Sequence, residues 1–172
     1  MSPQSRRAMQ ALRITPAFFV ADQIDESDVE ALAAAGIKCV IGNRPDSEGG
    51  TASDKIRAAC ERHGIKFFYQ PVEFSKVGVA DGDAFGQILQ QCEGPTLGYC
   101  RSGRRTTALW ALAAAPVVGA PAVLQRAASA GMPLQELAPL LARSAERPDP
   151  PHAPSSDPAG RERFTRLWIS ER

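Results

Sequence analysis

Apolar residues follow two rhythms along the chain. Short β-rich runs occupy residues 13–21 (RITPAFFVA), 37–41 (IKCVI), 65–72 (IKFFYQPV) and 96–99 (TLGY). Between them, apolar positions recur three and four residues apart: Val29, Leu32 and Ala33; Ile56, Ala59 and Cys60; Phe85, Ile88 and Leu89. The first rhythm predicts strands, the second amphipathic helices. Boundary residues agree with that division. Ser27 with Glu30 has the capping-box pattern, Ser53 is placed to cap the second helix, and Asp81 and Asp83 open the third. Gly36 and Gly64 follow the first two helices, and Gly94-Pro95 ends the third. Pro16 makes the first run a short strand or a hairpin.

Strands alternating with helices of about ten residues form βαβ units. The expected fold is therefore α/β, a mostly parallel central sheet flanked by helices on both faces. After the run ending at Tyr99 only helical patterning remains, over roughly 105–115, 121–130 and 134–145, so the last third is helical. Residues 147–158 carry five prolines with Ser and Asp, which reads as a linker. Phe164, Leu167 and Trp168 then form an apolar stripe on a short last helix, to pack on the domain or to meet a partner. The expected organisation is a polar, frayed segment 1–11, one α/β domain over 12–145, and the proline-rich segment with its short helix over 146–172.

Charge narrows the function classes. Twenty basic and 19 acidic residues leave a net charge of +1, which argues against nucleic acid or an anionic membrane as partner. Residues 106–125 carry no charge and are long enough to cross a bilayer, but they are Ala-rich and contain Pro116, Gly119 and Pro121. A buried helix, a turn and a second helix fit better. Arg6-Arg7 begins no uninterrupted apolar run, because Arg13 intervenes, so an export signal is not expected and a cytoplasmic location is. Four cysteines at 39, 60, 92 and 100, with only two histidines and no Cys-x-x-Cys, do not make a zinc site. Free thiols are expected. Cys39 and Cys60 fall on core positions; Cys92 is either core or a resolving thiol for Cys100.

The chemistry concentrates in Tyr99-Cys100-Arg101-Ser102-Gly103-Arg104-Arg105-Thr106-Thr107. A cysteine ends a strand, a short Gly-containing loop turns, and a helix starts. Ligands of open α/β sheets bind outside the carboxyl ends of strands. Backbone N–H groups of such a loop converge above a helix N-terminus and favour an anion. Three arginines fall within five residues, and no acidic residue lies between Glu93 and Glu136. These features predict a thiol that ionises readily, a nucleophile at Cys100, and a cradle for a tetrahedral oxyanion. Arg105 is the expected bidentate clamp, while Arg101 and Arg104 point outward and steer anions. Ser102, Gly103 and Thr106 complete the anion-binding set, with Ser102 or Thr106 donating to the leaving thiolate.

Three stretches taken together resemble the phosphatase-like domain of beta-lactamase hydrolase-like proteins: Val40-Ile41-Gly42-Asn43-Arg44-Pro45-Asp46, Tyr69-Gln70-Pro71-Val72, and the loop from Tyr99 to Thr106. The resemblance spans about residues 12–115. It implies a dual-specificity-phosphatase-like fold and a Cys nucleophile. Members of this family also occur fused to or beside sulfide-oxidising enzymes. Two departures matter. Phosphatases of this superfamily usually have His before the Cys, where Tyr99 stands. They also place Arg six residues after it, where Thr106 stands and Arg105 precedes.

Phosphate-ester chemistry wants an acid for the leaving oxygen. Asp46 is the expected donor, with Glu73 as an alternative. Arg44 and Asn43 are helpers that add charge or orient the loops. The resulting expectation is a cysteine-dependent phosphatase-like hydrolase acting on a small anionic substrate or a phosphoprotein, with no metal or cofactor. The alternative is a rhodanese-like sulfurtransferase that passes a persulfide to a thiol acceptor and needs no acid. A second alternative is an inactive oxyanion- or phosphoprotein-binding module.

Overall fold

The fold is described from a computed structural model, over residues 9–147 and 158–169. Five strands form one sheet in the order β1-β2-β5-β3-β4: β1 (Ala11–Thr15), β2 (Phe18–Ala21), β3 (Cys39–Gly42), β4 (Lys66–Tyr69) and β5 (Thr96–Tyr99). Only the β1–β2 pair is antiparallel. Residues 13–21 are thus a hairpin, turning at Pro16-Ala17. The expected segment 1–11 ends sooner than its composition suggests, since Ala11 already pairs with Ala21; residues 1–8 lie outside the described residues.

Helices cover both faces. On one side α1 (Glu26–Ala34) and α2 (Ser53–Arg62) bury Val29, Leu32, Ile56, Ala59 and Cys60 against Val40 and Leu97. On the other lie α3 (Val79–Gln90), α4 (Arg104–Val118), α5 (Ala120–Ser129), α6 (Ala138–Ala145) and α7 (Pro158–Trp168). α4 is the centre of that layer: every residue from Arg105 to Ala115 is buried, as expected of a helix enclosed by neighbours on all sides. It enters the sheet closely because β5 carries Gly98; a β-carbon there would overlap the Thr106 methyl. The uncharged stretch therefore packs as core through Ala115 and is broken at Gly119 into α4 and the more exposed α5. Among the described residues no helix is long and apolar enough to cross a membrane.

The C-terminal stripe packs on the domain. Phe164 and Trp168 are buried with Ile169, and the Trp110 indole donates to the Trp168 carbonyl at 2.8 Å. α7 begins at Pro158, inside the segment expected to be linker, because Pro is well placed at a helix start. Residues 148–157 of that segment lie outside the described residues.

Two expected caps are displaced. Asp25, not Ser27, caps α1, and its reciprocal partner is Asp28. An Asp carboxylate competes better than a hydroxyl for the first free N–H groups. Ser53 is the first residue of α2 and receives its cap from the distant Asp46. α3 starts at Val79, two residues before Asp81, whose carboxylate takes the Gly78 N–H.

The expectation of free thiols also needs correction. Cys39 opens β3, Cys92 follows α3, and the two form a disulfide inside the core. Cys92 is thus tied to Cys39 and is no partner for Cys100. Their 53-residue separation hid the pairing; the βαβ crossover returns the end of α3 to the start of β3. Cys60 and Cys100 remain free.

Candidate functional site

Register builds the site. β2, β3 and β5 run parallel, with Ala21, Gly42 and Tyr99 level with one another. The residues that follow these strands, Asp22, Asn43 and Cys100, therefore emerge side by side at one sheet edge. The loop after β4 leaves the same edge, since Tyr69 pairs with Gly42.

Cys100 is 1% exposed, and its N–H is held by the Ala21 carbonyl at 3.3 Å. The side chain turns back into its own loop, where the Gly103 N–H donates to Sγ at 3.0 Å. Gly103 holds φ +90°, a conformation that side chains avoid, and Met132 packs over it. α4 begins at the next residue, so its N-terminus lies behind the sulfur. Cys60 contrasts with this. Burial pushes its thiol up to about 12, so it stays protonated and inert.

The neighbouring arginines part company. Arg105 turns inward and is 9% exposed. Its Nη1 and Nη2 donate to the two Glu48 carboxylate oxygens at 3.0 and 3.1 Å, and Nη1 also donates to the Val72 carbonyl at 2.7 Å. Its Nε–H is buried with no acceptor among the described residues. Arg104 turns outward onto Glu136, the Pro133 carbonyl and the Phe74 ring. It ties the loop after β4 to the segment before α6, and is not a free anion-steering group. Arg101 is exposed. Ser102 is exposed too, its hydroxyl oxygen 3.4 Å from the Arg104 N–H.

Glu48 was not foreseen. It stands in the loop after β3, within a short 3-10 turn (Asp46–Glu48), and reaches Arg105 across 57 residues. Arg44 supports it from the other side, with Nε 3.6 Å from Oε1 and Nη2 donating to the Glu48 carbonyl. The Arg105 hydrogen bonds hold the Glu48 carboxyl below the usual carboxylate range. Burial opposes that shift, and the charges of Arg105, Arg44 and Arg101 add to it. In sequence the only hint was Arg44 four residues before it.

Asn43 is a hydrogen-bonding hub. Its N–H donates to the Tyr99 carbonyl, its Nδ2 to Gln70 O, and its Oδ1 accepts the Thr106 hydroxyl at 2.9 Å. One amide therefore joins three loops. The Thr106 hydroxyl is spent on Asn43, so it does not serve Cys100 as expected.

Asp46 is engaged elsewhere as well. Its two oxygens accept the Ser53 N–H at 2.8 Å and the Ser53 hydroxyl at 2.6 Å, which caps α2. Glu73 is exposed, pairs with Lys76 at 3.1 Å, and directly follows the Val72 carbonyl that Arg105 holds. Tyr99, in the place of the usual His, is buried, and that burial, with the Asp46 charge secondary, keeps its phenol protonated well above the ordinary value.

A beta-lactamase hydrolase-like protein of Agrobacterium fabrum is 32% identical over 106 residues, covering 60% of this chain and 25% of that protein. The chain thus matches only a quarter of the length of such relatives. A candidate phosphatase of Neisseria meningitidis is 31% identical with a TM-score of 0.68, over 77% of this chain and 96% of that one. The P. aeruginosa protein TpbA, solved with phosphotyrosine, shares the fold at 19% identity and a TM-score of 0.55, over 91% of this chain and 95% of its own. The model of one family, described as beta-lactamase hydrolase-like protein, phosphatase-like domain, matches residues 11–117. With the dual-specificity-phosphatase-like sheet and the Cys100 loop at its carboxyl edge, this chain belongs to that phosphatase-like family.

Proposed function

We propose that the protein hydrolyses phosphate monoesters through a phosphocysteine at Cys100. One observation carries the reading: five residues after a sulfur that accepts the Gly103 N–H, the nine-tenths-buried Arg105 keeps an Nε–H with no acceptor among the described residues. A buried guanidinium donor left unpaired is costly, and a bound oxyanion supplies the missing acceptor. Glu48 occupies Nη1 and Nη2 and fixes the plane of the guanidinium.

The reaction follows from that placement. The Cys100 thiolate attacks phosphorus in line, the S–P bond forms and the ester P–O bond breaks. Arg105 Nε–H and the loop amides carry the charge that gathers on the phosphoryl oxygens. Glu73 protonates the departing oxygen; Asp46, with both oxygens on Ser53, holds α2 in place instead. Water then attacks phosphorus and gives a proton back to the Glu73 carboxylate, the P–S bond breaks, and orthophosphate leaves with the thiolate restored. TpbA, with its bound phosphotyrosine, supports a phosphate-bearing substrate. No observation favours sulfur transfer, and the relatives named above are phosphatase-like.

The test is nitrophenyl phosphate with purified protein, and, in parallel, thiosulfate with a thiol acceptor. Orthophosphate release that vanishes in Cys100→Ser is expected. Sulfide formation from thiosulfate and the thiol, without orthophosphate release, would replace this reading by sulfur transfer. Oxyanion binding with silence in both assays would leave a binding module.

A further inference from the structure

Beside the loop, a cleft of about 310 Å³ opens between the β1–β2 hairpin and residues 101–103. Its walls are of two kinds. Leu12, Val20, Ala21 and Met132 are apolar, while Asp22 stands on the hairpin side and Arg101 on the loop side. Asp22 follows β2 as Cys100 follows β5, and Ala21 is level with Tyr99. A carboxylate is therefore held one strand away from the sulfur. Its Oδ1 accepts the Gln10 N–H at 3.1 Å, which anchors it to β1. None of these side chains has a part in the bond-breaking steps above.

The cleft shares Arg101, Ser102 and Gly103 with the anion cradle. Whatever fills it is therefore attached to, or lies next to, the group held by the loop. Its volume is at the lower end of small-molecule sites. Its lining sets the Arg101 guanidinium on the loop side, the apolar Leu12, Val20, Ala21 and Met132 between the walls, and the Asp22 carboxylate on the hairpin side. A group that matches this order has a phosphoryl end, a short aliphatic stem and a cationic tip.

Resting on the phosphoryl reading of the loop, we propose that this cleft is a substrate subsite that selects phosphate monoesters whose alcohol carries an alkylammonium group. The stem lies along Leu12 and Met132 and the ammonium pairs with Asp22. A neutral stem of equal length gains the apolar contact but not the ion pair, and leaves Asp22 facing hydrocarbon.

Calorimetry on Cys100→Ser protein tests the subsite without needing turnover, using aminohexyl phosphate and hexyl phosphate as the two probes. The ammonium ester is expected to bind on the order of fivefold tighter, the size of a partly exposed ion pair. That preference should vanish in Cys100→Ser/Asp22→Asn and weaken as salt rises. Met132→Trp, which fills the cleft, should lower affinity for both esters. Equal binding of the two probes, a preference that survives Asp22→Asn, or no binding of either would overturn the subsite. Wild-type protein is then assayed for orthophosphate from the same esters. A binding preference without any release would sink the hydrolase reading and leave the subsite standing. A uniform loss of turnover on both esters in Asp22→Asn, with a flattened pH profile and no change in their ratio, would make Asp22 a proton donor and overturn its role in selection.

Discussion

Two loops leave the same sheet edge, residues 43–50 after β3 and residues 100–103 after β5, and they are built in opposite ways. The β5 loop is local. Its sulfur, its donor amide and the start of α4 lie within five residues, and backbone conformation alone brings them together. The β3 loop is assembled from afar. Asn43 reaches Thr106 and Gln70, Asp46 reaches Ser53, and Glu48 reaches Arg105. In the proposed reaction the first loop holds the reacting atoms, and the second orients the groups around them. A nucleophile needs short, fixed distances that a tight turn can supply, whereas orienting a guanidinium needs a carboxylate from another strand.

The sharpest way to break this division is to remove the sulfur. Cys100→Ser should lower phosphate release by about a thousandfold or more, measured as kcat on nitrophenyl phosphate with the fold checked by circular dichroism. If the serine protein turns over at a similar rate, the β5 loop is not the reacting one. Next comes Arg105→Lys, which keeps the charge but loses the planar fork. It should cost roughly a hundredfold to a thousandfold in kcat/KM. A loss confined to KM would mean that Arg105 binds substrate and transition state alike.

Glu73→Gln should cost on the order of a hundredfold on an alkyl phosphate. On nitrophenyl phosphate the cost should be far smaller, because that leaving group departs without a proton. If Asp46→Asn shows this leaving-group dependence and Glu73→Gln does not, the proton comes from the β3 loop. Asp46→Ala separates support from chemistry: losing the α2 cap should cost about 1 to 2 kcal/mol of folding stability, read from urea titration.

The smallest effect belongs to Glu48→Gln, a few-fold in kcat/KM on the order of one exposed ion pair. Its signature is the pH dependence. Because Arg105 holds the folded-state carboxyl low, the Glu48 grip is fully present above the usual carboxylate value. It is lost as pH falls through the lowered value. Thermal melting between neutral and acid pH should show that acid-side loss in wild type and a flatter profile in Glu48→Gln. Equal slopes would remove Glu48 from the support of Arg105.

Much of this molecule was legible in the chain. The β5 loop could be read because strand, thiol, glycine and helix start are neighbours in sequence, and local backbone rules apply to neighbours. Asn43 was identified as a loop-orienting helper for a similar reason: it directly follows a strand whose end the fold class places beside Cys100. The role of Arg105 was only half legible. Position showed that it starts α4, but not that Glu48 would take two of its nitrogens. Thr106 and Asp46 were matched to chemistry by residue type, and each had a nearer hydrogen-bond partner once the chain folded.

The amino-acid order by itself determined the alternation of strands and helices, the parallel sheet, the buried α4 and the position of Cys100 at a strand end. Periodicity, glycine and the run of apolar residues act over a few residues and need no distant partner. Tertiary structure alone decided the Glu48–Arg105 pair, the Asp46 cap on Ser53, the Cys39–Cys92 bond and the cleft beside Asp22. The Asp46 cap spans seven residues within one connection; the other three depend on strand register, which brings together groups far apart in sequence and leaves no local trace in the chain.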